Sequence, residues 1–351
     1  MSTQLPPMQA MTGDQAWIGA ELQNTPAVWR WHLSASEITQ LEQAATAFLD
    51  TGKDPGEISA DNFPLPDMAQ KLIALRRELI SGIGFRVISG LPIAEYSRAE
   101  AATIFCGIGA HLGRARSQNA AGHILGHVRD TGARPDDPNT RIYQTAARQT
   151  FHTDSADAVG LLCLKPAKSG GASLLVSAIS IFNRMLCDCP DLLPRLFDPI
   201  ATDRRGEIPE GAKPFMEIPP LSWAHGMLTV FYQRQYINSA QRFPDALRLG
   251  ADHVAALDAF DALANDPDLH LSMQLAPGDM QFVYNHAFLH DRTGFEDWPD
   301  PLDRRHLLRL WLSLPGDRPL PDCFAERYGT LDIGNRGGIV TPGTVLHAPL
   351  D

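Results

Sequence analysis

The hydrophobic rhythm of the chain changes near residue 150. Before that point apolar side chains recur at helical spacing. Ile38, Leu41, Ala45 and Phe48 follow a candidate cap at Ser36 and predict a helix over 34–50. Leu72, Leu75 and Leu79 predict a second helix over 67–81, and a third is expected over 97–112. Between them, residues 84–90 alternate between flanking glycines and read as a strand. After residue 150, short runs of β-formers separated by Gly and Pro turns take over. Residues 158–164 form an unbroken apolar run, expected as a buried strand. A second run, 173–176, follows the turn Gly170-Gly171 and leads into a helix over 177–186. Residues 227–232 are rich in β-formers, and 250–264 read as a helix. The runs 269–275 and 280–284 bracket Ala276-Pro277-Gly278-Asp279 and are expected to form a hairpin. Residues 304–312 are a long strand candidate. Helices first and short strands afterwards imply an α+β fold with a barrel or sandwich core. Residues 1–30, rich in Pro, Gln and Thr, are expected to lie at the periphery of a single domain spanning 31–351.

Composition narrows the function more than the fold. The formal net charge of −11 argues against a nucleic-acid partner, which would need a basic surface. No apolar run approaches the ~18 residues of a membrane span, and no basic-then-apolar leader opens the chain, so no membrane partner or signal peptide is expected. The five cysteines form no C-x-x-C pair, and Cys163 sits in an apolar run. That usage implies free thiols in a reducing, cytoplasmic setting.

His152-Thr153-Asp154 is the first candidate for chemistry. In a strand or its exit, residues i and i+2 point the same way, so both side chains can face one ion. Alone, a surface turn beside a histidine explains the pattern equally well. A second histidine comes from Asn285-His286-Ala287-Phe288-Leu289-His290-Asp291-Arg292, where His286 rivals His290. On the following strand Arg305, Leu307, Arg309 and Trp311 share a face. Guanidinium groups are seldom buried without an acid, so these arginines pair either with protein carboxylates or with a carboxylate ligand. Two histidines and one carboxylate leave three positions open on an iron ion, the arrangement of non-haem Fe(II) oxygenases. Two of those positions suit a bidentate 2-oxo acid and one suits O2, whereas a fourth protein ligand would make the site structural. His123 and His127 sit four apart, but Gly122 and Gly126 argue for a loop. His225, His253 and His270 need no special role.

Four motifs in order resemble the taurine dioxygenase/TfdA-like family of Fe(II)- and 2-oxoglutarate-dependent oxygenases. They are Phe151-His152-Thr153-Asp154-Ser155, Gly170-Gly171-Ala172-Ser173, Leu289-His290-Asp291-Arg292-Thr293 and Arg304-Arg305-His306-Leu307, within a match from about Gly84 to Pro315. The resemblance implies a distorted double-stranded β-helix, or jelly roll, with flanking helices. It implies His152, Asp154 and His290 as catalytic iron ligands, with Arg305 on the distal carboxylate of 2-oxoglutarate. Ser173 should add a hydroxyl hydrogen bond to that cosubstrate, although threonine is usual there. The aspartate at 154 disfavours a halogenase. Arg309 either binds an anionic group of the substrate or pairs with a core carboxylate. Gln118, Asn119 and Tyr143 lie in segments that line the substrate pocket of the family. The implied cofactors are Fe(II), 2-oxoglutarate and O2, and the implied partner is a small molecule, anionic or amino-acid-like. Two other readings of the same ligands are a binding protein without turnover and a zinc hydrolase.

Overall fold

The computed structural model describes residues 6–134, 140–339 and 344–351. Eight strands form the core of its two main sheets: β1 (Leu125–Val128), β2 (Gln149–His152), β3 (Ala158–Lys165), β4 (Ser173–Ser177), β5 (Leu271–Met273), β6 (Met280–Tyr284), β7 (Phe288–Arg292) and β8 (His306–Ser313), with the short strand Arg114–Arg116 also paired to the end of β8. The larger sheet runs β6-β3-β8-β1, extended beyond β6 by Phe85–Ser89 and Arg30–His32. The smaller sheet runs β5-β4-β7-β2. Every pairing among the eight is antiparallel.

Helices cover the outer faces of both sheets, which is why the central strands read as continuous apolar runs. All eight residues of β8 are buried. On its outer side Leu310 and Leu312 meet α3 (Arg98–Leu112), where a Cβ at Gly109 would sit 2.8 Å from Leu310 Cδ1. On its inner side Leu307, Arg309 and Trp311 face the space between the sheets. α1 (Ala35–Leu49) and α2 (Ala69–Ser81) pack against α3. The smaller sheet alternates likewise. Leu174, Val176 and Leu289 join a core with Phe182 of α4 (Ala178–Asp188) and Phe260 of α5 (Ala251–Ala264), while His290 turns inward.

Three expectations are corrected. The cap of α1 is Ser34, because Ser34 Oγ accepts from Glu37 N while the Glu37 carboxylate accepts from Ser34 N, a reciprocal box that Ser36 cannot make. Strands β5 and β6 do not form a hairpin. β5 pairs with β4 and β6 with β3, so the turn at 276–279 carries the chain from one sheet to the other. Residues 125–128 are strand β1, because pairing along β8 satisfies a backbone whose own sequence lacks strand alternation.

The N-terminal segment, of which residues 1–5 lie outside the described residues, is laid into the core from Trp17 onward. Trp17 stacks on Phe288 at 5.4 Å and 7°, and its indole N–H donates to Ile83 O at 2.9 Å. Gly84 makes this packing possible: its φ is +79°, and a Cβ there would fall 1.8 Å from the Phe288 ring. The strand that carries His290 is thus braced at its start. All five cysteines are free thiols. Among the described residues no helix is long and apolar enough to cross a membrane.

Candidate active site

β2 ends at His152, and its exit loop places Asp154 on the same side. β7 lies beside β2 with His290 directly opposite His152. The three side chains therefore converge from two adjacent strands of the smaller sheet. His152 Nε2 is 3.9 Å from Asp154 Oδ1, and His290 Nε2 is 3.7 Å from Asp154 Oδ2. The imidazole centroids are 4.1 Å apart. These separations are long for hydrogen bonds. Ligands held ~2.0–2.2 Å from one ion at right angles lie about 3 Å apart, so a small closure would suit a shared metal.

The surroundings fix the orientation and charge of each donor. His152 Nδ1 faces Thr150 O at 2.9 Å, so its N–H belongs there and the Nε2 lone pair points toward Asp154. Gln149 Nε2 approaches that same Nε2 at 2.9 Å. Asp154 Oδ2 accepts from Trp311 Nε1 at 2.8 Å and from Arg309 Nη1 at 3.4 Å. Burial alone would raise the Asp154 pKa, but Arg309 and the two histidines hold it below the ordinary carboxylate range. Burial, helped by His290, pushes His152 down to about 3. The set thus offers an ionised carboxylate and a neutral His152 imidazole, the forms that bind a divalent cation. His290 Nδ1 is buried with no partner among the described residues.

The triad stands in a wall between two chambers. The first is lined by His290, Ser173, Gly171, Cys163, Arg305 and Leu307. The second is lined by Asp154, Trp311, Arg141, Glu207, Tyr236 and Arg327. His152, Gln149, Tyr143 and Arg309 border both.

Arg305 is the unusual residue of the first chamber. It is 5 % exposed, its Nη1 is buried without a partner, and among the described residues its guanidinium makes no hydrogen bond or ion pair. It lies over the Phe295 ring at 5.1 Å. Gly171 leaves it room, since a Cβ there would be 3.1 Å from Arg305 Nε on a backbone with φ +69°. Burial lowers the Arg305 pKa to about 10. Arg292, two residues past His290, shares the Phe295 ring at 4.7 Å and donates to the carbonyls of Thr145 and Ala147. Burial and the neighbouring Arg305 bring it down to about 9. Nearby aspartates offset the burial only in part, so two adjacent buried cations without a direct ion pair are expensive unless an anion joins them.

The other sequence candidates divide. Ser173 lines the first chamber, but its hydroxyl donates to Gln281 Oε1 at 2.9 Å, so the proton expected for a cosubstrate is already placed. Arg309 is held between the Tyr143 and Trp311 rings, and its Nε donates to Gln118 Oε1 at 2.7 Å. Gln118 sits behind it, donating to the carbonyls of Arg309 and Ile124. Asn119 caps the next turn by accepting from Ala121 N and His123 N. Neither Gln118 nor Asn119 lines a chamber, contrary to expectation, because both are spent on holding the strand-to-strand connection before β1.

His286 belongs elsewhere. It joins Asp157 and Asp317 in a second buried cluster of ligand-type residues. There Arg336, fully buried, donates Nε to Asp157 and Nη2 to Asp317, each at 2.7 Å. An internal cation already occupies the place a metal would take. Sequence reasoning did not find Gln149, Arg141 or Arg327. Arg292 was readable, since it shares a strand face with His290. Arg327 stands in no motif.

Comparison with known proteins agrees with this geometry. Residues 49–311 match the family described as taurine catabolism dioxygenase TauD, TfdA family. FR-33289 synthase of Streptomyces rubellomurinus (strain ATCC 31215) is 31% identical over 329 residues, covering 91% of this chain and 95% of that protein. Taurine hydroxylase-like protein SAT17 of Stachybotrys chartarum (strain CBS 109288 / IBT 7711) is 31% identical over 308 residues, covering 86% of this chain and 79% of that protein. The structure of asparagine oxygenase in complex with Fe(II), 2S,3S-3-hydroxyasparagine and succinate shares the fold, with a TM-score of 0.63, 18% identity, and coverage of 81% of this chain and 93% of that one. The chain belongs to the TauD/TfdA family and is an Fe(II)- and 2-oxoglutarate-dependent dioxygenase.

Proposed function

We propose that His152, Asp154 and His290 hold the iron, that Arg305 anchors 2-oxoglutarate, and that the enzyme hydroxylates a C–H bond of a small organic substrate. The observation that carries this reading is a metal-type triad with a buried, unpartnered arginine in the chamber on one side of it. Two histidines and one carboxylate would leave three positions for ligands. Arg305 would meet the far carboxylate of 2-oxoglutarate in a bidentate fork, which supplies the counter-charge it lacks. Arg292 would add positive potential beside it. Trp311 and Arg309 would keep Asp154 ionised and turned toward the metal. When bound, Fe(II) supplies the activation of O2, and one oxygen atom enters succinate while the other enters the substrate. The balance is substrate C–H, O2 and 2-oxoglutarate giving substrate C–OH, succinate and CO2.

The order of strands supports reading the two sheets as a distorted jelly roll. Counted along the chain, the larger sheet runs 6-3-8-1 and the smaller 5-4-7-2, so successive strands alternate between sheets everywhere except at β4 and β5, which pair within the smaller sheet. The hydroxylated amino acid named in the asparagine oxygenase complex favours a substrate of similar size.

The test is succinate formation from 2-oxoglutarate, measured with Fe(II) and O2 against a library of small acids and amino acids. Wild-type enzyme should form succinate in step with O2 consumption. His152→Ala should form none, and full activity in that variant would remove His152 from the metal.

A further inference from the structure

We propose that Arg327, with the Tyr236 hydroxyl beside it, anchors an anionic oxyacid group of the substrate in the second chamber. The proposal rests on the reading of the first chamber as the 2-oxoglutarate site, which leaves the second for substrate.

Arg327 reaches the triad's own loop: its Nε donates to Ser155 Oγ at 2.6 Å, and Ser155 follows the ligand Asp154. Its nearest carboxylate oxygen is Glu207 Oε2, at 3.9 Å. That distance is too long for a hydrogen bond, and the other oxygen of Glu207 is in direct contact with Arg141. The Arg327 side chain is 11 % exposed. Among the described residues it therefore has one close neutral partner and a single long ion pair, to a carboxylate that Arg141 already holds more closely. Burial, opposed by Glu207 and reinforced by Arg141 and Arg204, lowers its pKa. Tyr236 lines the same chamber and interacts electrostatically with Arg327, and its hydroxyl makes no hydrogen bond among the described residues. On the second side of the triad Arg327 is thus a buried cation with only partial counter-charge, a weaker form of the situation of Arg305 on the first.

Arg309 is not free for the task. It is spaced from Arg305 so as to share its strand face, but its guanidinium is engaged by Gln118 and Asp154 and stacked between two rings. An anion entering the second chamber meets Arg327 and Tyr236 instead. A guanidinium fork selects paired oxygens, as carboxylates, sulfonates and phosphonates present them. A cationic group placed there would add to the uncompensated charge.

The experiment is calorimetric titration, under argon, of protein loaded with Fe(II) and 2-oxoglutarate. The probes are butyrate, 1-propanesulfonate and n-propylphosphonate, with n-propylammonium as the cationic control. At least one anion should bind and the ammonium should not, and the ranking of the three identifies the oxyacid. Arg327→Gln should weaken the preferred anion by about tenfold or more. Tyr236→Phe, which keeps the ring and serves if Arg327→Gln does not fold, should weaken it by about threefold. Failure of all three anions to bind, equal binding of the ammonium, or undiminished affinity in these variants would overturn the proposal. Loss of Fe(II)-dependent 2-oxoglutarate binding in the wild type would instead overturn the reading of the first chamber.

Discussion

Two buried clusters of histidine and aspartate lie close together in this protein, and only one is left incomplete. Asp154 and Asp157 lie in the same short connection between β2 and β3, and His286 and His290 flank the start of β7. In the Asp157 cluster every charge is answered. Arg336 bridges both aspartates at 2.7 Å, Ser313 Oγ and Leu314 N donate to Asp157 Oδ2 at 3.1 and 2.8 Å, and His286 faces Asp157 Oδ1 at 2.9 Å. In the Asp154 cluster no cation is inserted between the donors. Arg309 touches the carboxylate only from the side, at 3.4 Å, and the histidine nitrogens stand 3.7 and 3.9 Å from it. Ligand-type residues alone do not make a metal site; a shortage of internal counter-charge does.

The comparison can be broken most forcefully at Arg336. Arg336→Leu leaves Asp157 and Asp317 buried without their cation and should destabilise the protein by about 3–5 kcal/mol in urea unfolding. Metal binding by the folded fraction should persist. A loss below about 1 kcal/mol would show that the cluster is not held together by that pairing.

Arg305 gives the opposite case of a buried arginine. Arg305→Leu removes a cation that has no protein partner, so unfolding free energy should not fall. Affinity for 2-oxoglutarate, read from the concentration dependence of succinate formation, should drop about 10–100-fold, the value of a charge-assisted pair. An unchanged requirement would move the anchor to Arg292.

The smallest effects come from a matched pair on β8. Trp311 donates to Asp154 and Ser313 to Asp157, each at a carboxylate oxygen. Trp311→Phe should weaken metal binding about tenfold, as loss of a partner to a ligand commonly does, while leaving most of the stability intact. Ser313→Ala should lower stability by about 1 kcal/mol and leave metal affinity alone. Exchange of these two outcomes would reverse the roles of the clusters.

The pattern of residues made one cluster readable and hid the other. His152 and Asp154 are two apart at a strand end, and His290 and Arg305 follow in an order that fixes their roles together. Only the Leu-His-x-Arg context around His290 separates it from His286 in the sequence. What His286 does instead depends on Arg336, which arrives from the far end of the chain with no motif around it. Arg327 is hidden for the same reason, since its contact with Ser155 spans 172 positions. The missed crossover between β5 and β6 has a simpler cause. A Pro-Gly turn reads alike whether the flanking strands pair with each other or join different sheets. Helix starts were more legible because caps are local, and even there the serine–glutamate spacing, rather than the apolar run, marks the true cap of α1.

The most direct test of the account is anaerobic titration of metal-free protein with Fe(II) in the presence of 2-oxoglutarate, for wild type, His290→Asn and His286→Asn. One equivalent should bind to the wild type and to His286→Asn, and none to His290→Asn. Retention of the metal by His290→Asn, or its loss from His286→Asn, would contradict the assignment of the open cluster as the iron site.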